Sequence, residues 1–402
     1  MKRFTKLFSM LALLAVVVAL CAASALAQHF IVTNDDNLNS GLNSATFFPV
    51  NPDGSLGSPK NVPTGGTGLG GGFFTTQRIS VLHSKTQKCV WVTNGADSPG
   101  DITGINALTL KVTGTFPGSK DDSGALYGIG LAGSSNGKWL YATFTASSTI
   151  GEFEVLAGCT LKFVADTSAA GLNGLPAIGM KVSPNDKLLV VAFGDGSIQS
   201  FAIGVGGKLT SNSDQQLSVG YNKHGQAPAS VDITRDSHWA VFGDASFGPS
   251  IVEVYDISGG SLNGGTAVAY VVSQEGSAQN LSISPDETEI YYSSPWSGTL
   301  GENSFDASTG VVGSGCTTNT LNGYNYWWSY AGQLATQLQT GDGAVLYVAE
   351  DGQNKVTGAA QSYIGSARIS SKGCRLTPFN GLKNVDNIGY VLSIATYPPR
   401  SF

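Results

Sequence analysis

The chain has 402 residues, of which 53 are Gly and only 12% are charged, against about 25% charged in ordinary soluble domains. So few charges cannot supply the wet faces of many helices. The net charge of −6 gives no basic surface with which to displace counterions from nucleic acid, so that class of partner is excluded.

Along the chain, Lys2, Arg3 and Lys6 precede an apolar run, Leu7 to Leu20, and the small residues Ala25-Leu26-Ala27 precede Gln28. This is the layout of a cleaved secretory signal, so residues 1–27 are expected to be a signal peptide and 28–402 a single domain. No later segment is apolar enough to span a membrane, and the expected location is periplasmic or extracellular. His29 to Asn34 reads as a strand, followed by a hairpin turn at Asp53-Gly54-Ser55-Leu56. Gly66 to Gly72 is glycine-dense without a strand–helix setting, so it reads as a loop rather than a phosphate cradle. Arg78 precedes an apolar strand, and Cys89-Val90-Trp91-Val92 opens the next.

From there two landmarks alternate. One is an apolar stretch, a tight polar turn and a second apolar stretch, with turn residues at 137, 186, 236, 286 and 342. Asp186, Asp236, Asp286 and Asp342 are read as caps of those turns. The other is a glycine turn usually followed by Leu, as in Gly158-Cys159-Thr160-Leu161, Gly206-Gly207-Lys208-Leu209, Gly259-Gly260-Ser261-Leu262 and Gly373-Cys374-Arg375-Leu376. Two landmarks per period of about fifty residues describe a four-stranded antiparallel meander, the size of a propeller blade. Such a blade cannot bury both faces alone, whereas a ring of blades can. The predicted fold is all-β: a seven-bladed β-propeller of four-stranded blades. The unpartnered final strand, Tyr390 to Ala395, is expected to join the N-terminal blade and close the ring.

Val90-Trp91-Val92-Thr93-Asn94-Gly95 resembles the YVTN-type blade of exported propellers. The Ser-Pro-Asp turns and the Asp-Gly-Ser-Leu hairpin resemble the lactonase-like seven-bladed propeller family, which includes 6-phosphogluconolactonases and carboxymuconate cyclases. The resemblance covers essentially all of residues 28–402 and implies fold more than chemistry. It implies that a catalytic member would carry His, Glu and Arg on the loops leading into the inner strands. The loop Tyr221 to Pro228 supplies one His, His224, while Gly174 to Ala177 and Gly276 to Asn280 supply neither His nor Arg. The paired His expected there is absent, which argues against lactone hydrolysis.

The candidate ligand-binding residues on those loops are therefore mostly aromatic: Tyr221, Trp296, Tyr324, Tyr326, Trp327 and Trp328, with Phe247 and Tyr330 nearby. Aromatic rings form platforms for sugars or flat apolar ligands, although Trp327 and Trp328 equally suit a wedge between blades six and seven. His224 is the candidate general base and Arg78 a candidate for an anionic group or for a neighbouring blade. Glu275 with Asp244, and Asp121 with Asp122, are candidate carboxylate pairs, more simply read as solvated loop residues. The expected ligand is a small molecule, glycan or protein bound by a monomer without a cofactor. No ligand spacing for a metal occurs. Four Cys remain beyond the signal, Cys89, Cys159, Cys316 and Cys374, and they allow three pairings. Their places in successive blades favour 89–159 and 316–374.

Overall fold

The computed structural model describes residues 29–70, 77–83, 87–118, 129–225, 227–244, 250–263, 268–273, 278, 280–294, 299–319, 326–339, 343–354, 360–370, 376–378, 383–386, 391 and 393–398. They form seven antiparallel sheets arranged in a ring. The innermost strands, in ring order, are Ser393–Tyr397, Ile79–His83, Leu131–Gly133, Ala177–Val182, Pro228–Ile233, Asn280–Ile283 and Tyr326–Gln339. Each contacts the next, and the last returns to the first. This is a seven-bladed β-propeller.

The ring closes as the sequence predicts. Blade one takes its three outer strands, Phe30–Asn34, Ser44–Pro49 and Lys60–Pro63, from the N-terminal part of the chain, and its inner strand, Ser393–Tyr397, from the C-terminal part. Phe30 pairs with Tyr397 and Asn34 with Ser393. In blades four and seven the outer edge is broken into two pieces. Leu209–Ser211 and Gln216–Leu217 both pair with Ser197–Ile203, and Leu376–Pro378 and Lys383–Asp386 both pair with Ala360–Ile369.

Seven apolar clusters hold the molecule together, and each lies between two adjacent blades. Successive side chains of a strand point to opposite faces, so one strand serves two interfaces. Val190 packs towards blade five, while Leu189 and Val191 on either side of it pack towards blade three. This is why the strands read as nearly continuous apolar runs. Burying a Val or Leu side chain contributes roughly 1.5–3 kcal/mol, and here both faces of each blade collect that gain.

The two sequence landmarks are the points at which neighbouring blades are tied. In the polar turns the caps are Asn136, Asn185, Asp236 and Asp286. Each accepts a hydroxyl from Ser134, Ser183, Thr234 or Ser284, and a backbone N–H from residue 138, 187, 238 or 288. Asp186 is not such a cap, contrary to expectation. It sits one place later, at φ 58°, in register with Gly137, Ser237 and Glu287. From there Asp186 accepts the N–H groups of Ser135 and Asn136 in the preceding blade. Ser237 accepts from Asn185 N and Glu287 from Arg235 N in the same manner. Asp342 lies outside the described residues.

The glycine turns receive the second tie. Trp139 of blade three covers Gly207, where a Cβ would stand 2.3 Å from the indole, and Tyr141 donates to Gly207 O at 2.9 Å. Trp239 donates to Ala307 O at 2.8 Å, and Tyr347 of blade seven donates to Gly54 O of blade one at 2.7 Å. Glu152 and Asp214 accept the N–H of the Leu that follows the turn, Leu209 and Leu262 respectively. Between blades two and three a covalent bond takes this place: the Cys89–Cys159 disulfide, as expected. Cys374 lies outside the described residues, and so does the other expected pairing.

Candidate functional site

The loops leading into the inner strands and those joining second to third strands emerge on one face of the ring, called here the loop face. Two buried polar constructions lie there. Residues 1–28, Asp121, Asp122, Phe247, Glu275, Trp296 and Tyr324 lie outside the described residues. The backbone of Tyr326, Trp327 and Trp328 belongs to the inner strand Tyr326–Gln339 rather than to a loop, and their side chains are not among those described.

The first construction joins blades one and two. Arg78 stands immediately before the inner strand, and its guanidinium meets Asp36 at 2.9 Å and Gly70 O at 2.7 Å. The two side chains are 1% and 0% exposed. Arg78 therefore pairs across to the neighbouring blade, one of the two roles read from the sequence. Burial outweighs the nearby guanidinium at Asp36 and leaves that carboxyl above its usual pKa. Asn34 donates to Arg78 O and Thr93 O, and Asn43 donates to Asn34 and Asn94. Asn94 then donates to Asp101 Oδ1 at 2.5 Å. The network reaches the surface at Asp101 and Asp97, both half-buried. Asp97 also accepts Thr67 N through both oxygens at 3.1 Å. Burial, and then the Asp97 charge, lift Asp101 to about 6 against the hydrogen bond from Asn94. This carboxyl pair was not read from the sequence, because Asp97 and Asp101 sit in an ordinary turn sequence, Ala96-Asp97-Ser98-Pro99-Gly100-Asp101. The loop around Gly66 and Thr67 lies against Asn94 and Asp97.

The second construction joins blades four and five. The first part of the expected loop Tyr221 to Pro228 belongs to a short helix, α1 (Val219–His224), capped by Ser218 Oγ and ended by Gly225 at φ 69°. A Ser six residues and more ahead of a Gly is a helix signal in retrospect, but six residues are too few to show a period. Tyr221 is 36% exposed and its ring lies on the backbone of Gly196, where a Cβ would be 2.1 Å from the ring. Leu172 and Leu175, in the adjacent loop into blade four, are 51% and 41% exposed, and Leu175 borders Gly194. Tyr221 and these leucines thus flank one loop, Gly194-Asp195-Gly196. The backbone of His224 ends α1, and its side chain is not among those described. Asp244 is wholly buried rather than solvated, beside Glu253.

Among the described residues no group of three or more His, Cys, Asp or Glu could hold a metal ion, and no helix is long and apolar enough to cross a membrane.

The ring and its loop face define the class, a seven-bladed β-propeller. The chain superposes on a candidate 6-phosphogluconolactonase from Bacteroides fragilis with a TM-score of 0.64 and 14% identity, over 92% of this chain and 99% of that one. A second such protein, from Bacteroides uniformis, gives 0.60 and 13% with the same coverage. The periplasmic gluconolactonase of Pseudomonas aeruginosa gives 0.56 and 13%, over 73% of this chain and 82% of that one. These likenesses concern the fold. No protein-family model and no curated protein sequence matches the chain.

Proposed function

We propose that this is an exported propeller that binds a ligand, whether a small molecule, glycan or protein, on its loop face, as a monomer and without a cofactor. The observation that carries this reading is the apolar group formed by Tyr221, Leu172 and Leu175 around Gly194-Asp195-Gly196, exposed on that face. Catalysis of the lactonase type asks for a cation free to meet an oxyanion, and Arg78 is committed to Asp36 inside the protein. The Cys89–Cys159 disulfide suits an oxidising compartment and supports export, with residues 1–27 as the signal.

Lactone hydrolysis is the second reading. It is favoured by the fold shared with a periplasmic gluconolactonase and by Asp101, which titrates at about 6 beside a second carboxylate, in the range of a working acid or base. Purified protein lacking residues 1–27 would be screened against immobilised glycans and against a panel of sugar and aliphatic lactones. The expected result is retention of at least one glycan, lost in Tyr221→Ala, with no lactone turnover. Turnover abolished by Asp101→Asn or His224→Ala would replace the binding reading with the hydrolase.

A further inference from the structure

The first turn of α1 is fastened to blade five by Glu253, with Asp244 beside it and no counter-charge to either among the described residues. Glu253, on the third strand Ser250–Asp256, accepts Val219 N at 3.0 Å through Oε2 and Gly220 N at 2.7 Å through Oε1. Tyr255 donates its hydroxyl to Glu253 Oε2 at 2.5 Å and accepts from Val219 N at 3.0 Å. Asp244, at the end of the second strand Trp239–Asp244, closes the other side. Among the described residues neither of its oxygens meets an N–H or O–H donor. A Cβ on Gly220 would stand 2.3 Å from Glu253 Oε1 and 2.4 Å from Asp244 Oδ2, so both carboxyl groups converge on the helix backbone there. Both side chains are 0% exposed.

Two ionised carboxylates brought together in this way repel, and neither supplies a donor to the other. One proton between them removes the repulsion and provides the missing donor. The groups facing the pair are Asp244 from the second strand, Glu253 and Tyr255 from the third, and Ser218 with the Val219 and Gly220 amides from the helix. No described Lys, Arg or His side chain is paired with either carboxyl. The side chains of Lys223, His224 and Glu275 are not among those described.

We propose that a single proton shared by Asp244 and Glu253 latches α1 onto blade five, and that its loss opens the loop presenting Tyr221. Burial first, and then at Asp244 the neighbouring Glu253 charge, raise both carboxyl groups above their usual range, so the docked helix holds the proton to a higher pH than the opened loop does. The opened loop exposes both groups to water, where they ionise. Docking is therefore complete at low pH and weakens as pH rises towards the titration of the buried pair. The latch does not depend on which ligand the face takes.

Amide hydrogen exchange tests it in the full-length folded protein, with rates corrected for the intrinsic effect of pH. Protection of the Val219 and Gly220 amides is expected to fall as pH rises above the ordinary carboxylate value of about 4, by up to about tenfold per pH unit, the slope of a one-proton linkage. Amides of Leu189 to Val191, in the core of blade four, should keep constant protection. In Asp244→Asn the side-chain amide donates permanently to Glu253, so the Val219 and Gly220 profiles should become flat. Constant protection of Val219 and Gly220 in the wild-type protein would overturn the latch, as would an equal slope at Leu189 to Val191. Persistence of the slope in a folded Asp244→Asn variant would do the same. Should that variant not fold, the wild-type comparison decides alone.

Discussion

At the scale of single residues, burial decides which of the charged side chains carry information. Asp236 and Asp286 bind their own turns, whereas Asp101 is held half-buried against Asp97. Its folded pKa, about 6, lies above the ordinary carboxylate value of about 4. A carboxyl raised in this way favours folding below pH 4, and that contribution is lost as pH rises through 6. Asp101→Asn keeps an amide in contact with Asp97 without the charge. Its melting temperature should therefore exceed that of the wild type at pH 8 and match it at pH 4. Melting curves at the two pH values check this, and an equal deficit at both would refute the argument. The pair was hidden in the sequence because nothing in Asp97-Ser98-Pro99-Gly100-Asp101 says that the loop around Gly66 and Thr67 will lie against Asp97. Arg78 was legible as a residue at the mouth of an inner strand. Its choice between a ligand and Asp36 was not, since the two partners are 42 residues apart in sequence.

At the scale of elements, strands and turns were legible because two physical signals coincide. Apolar residues occupy both faces of the strands, and Gly, Asp or Ser supply positive φ at most of the turns, as at Gly137, Asp186 and Ser237. The role of the turns was only half legible. A glycine turn followed by Leu looks like hairpin chemistry. Yet Gly207 also yields its Cβ space to Trp139, and the Leu209 N–H is reserved for Glu152. Contacts between blades connect residues about fifty positions apart, so local pattern does not announce them. The Cys89–Cys159 bond occupies the place that aromatic side chains take at other interfaces. It closes 70 residues of chain, for which the entropy of loop closure predicts about 4 kcal/mol of stability. The double replacement Cys89→Ser, Cys159→Ser should lower stability by about 2–4 kcal/mol in a urea titration, with no change in strand content. A loss below about 1 kcal/mol would show that the aromatic and polar ties suffice without it.

For the whole molecule, the number of blades and the manner of closure followed from counting landmarks and from two unpartnered strands. A repeat fold makes this possible, because every blade faces the same packing problem and solves it with the same residues. The α1 latch did not follow, since among the described residues the helix stands at one interface and departs from the repeat. A chain ending at Asp386 would leave blade one without its inner strand, and the ring without a member. Such a protein should lose its single cooperative melting transition and become sensitive to limited proteolysis. Adding a peptide of residues 391–402 should restore both in proportion to its concentration. A truncated chain that melts as sharply as the intact one would contradict the closure.

The contact of Arg78 N with Ser393 Oγ spans 315 positions of chain, and it concerns the timetable of manufacture as much as strength. A ribosome delivers the inner partner of Phe30–Asn34, Ser393–Tyr397, only after the strands of the other six blades. Until then the edge of that strand is bare, a template for pairing with the wrong chain, and the most distant contacts in the protein wait on the slowest search. Early blades can form in order, but the decisive join is made last. Crowded intermediates, rather than the finished ring, are then the stage at which this protein is lost, and a helper that shields Phe30–Asn34 would raise the yield more than any added stability.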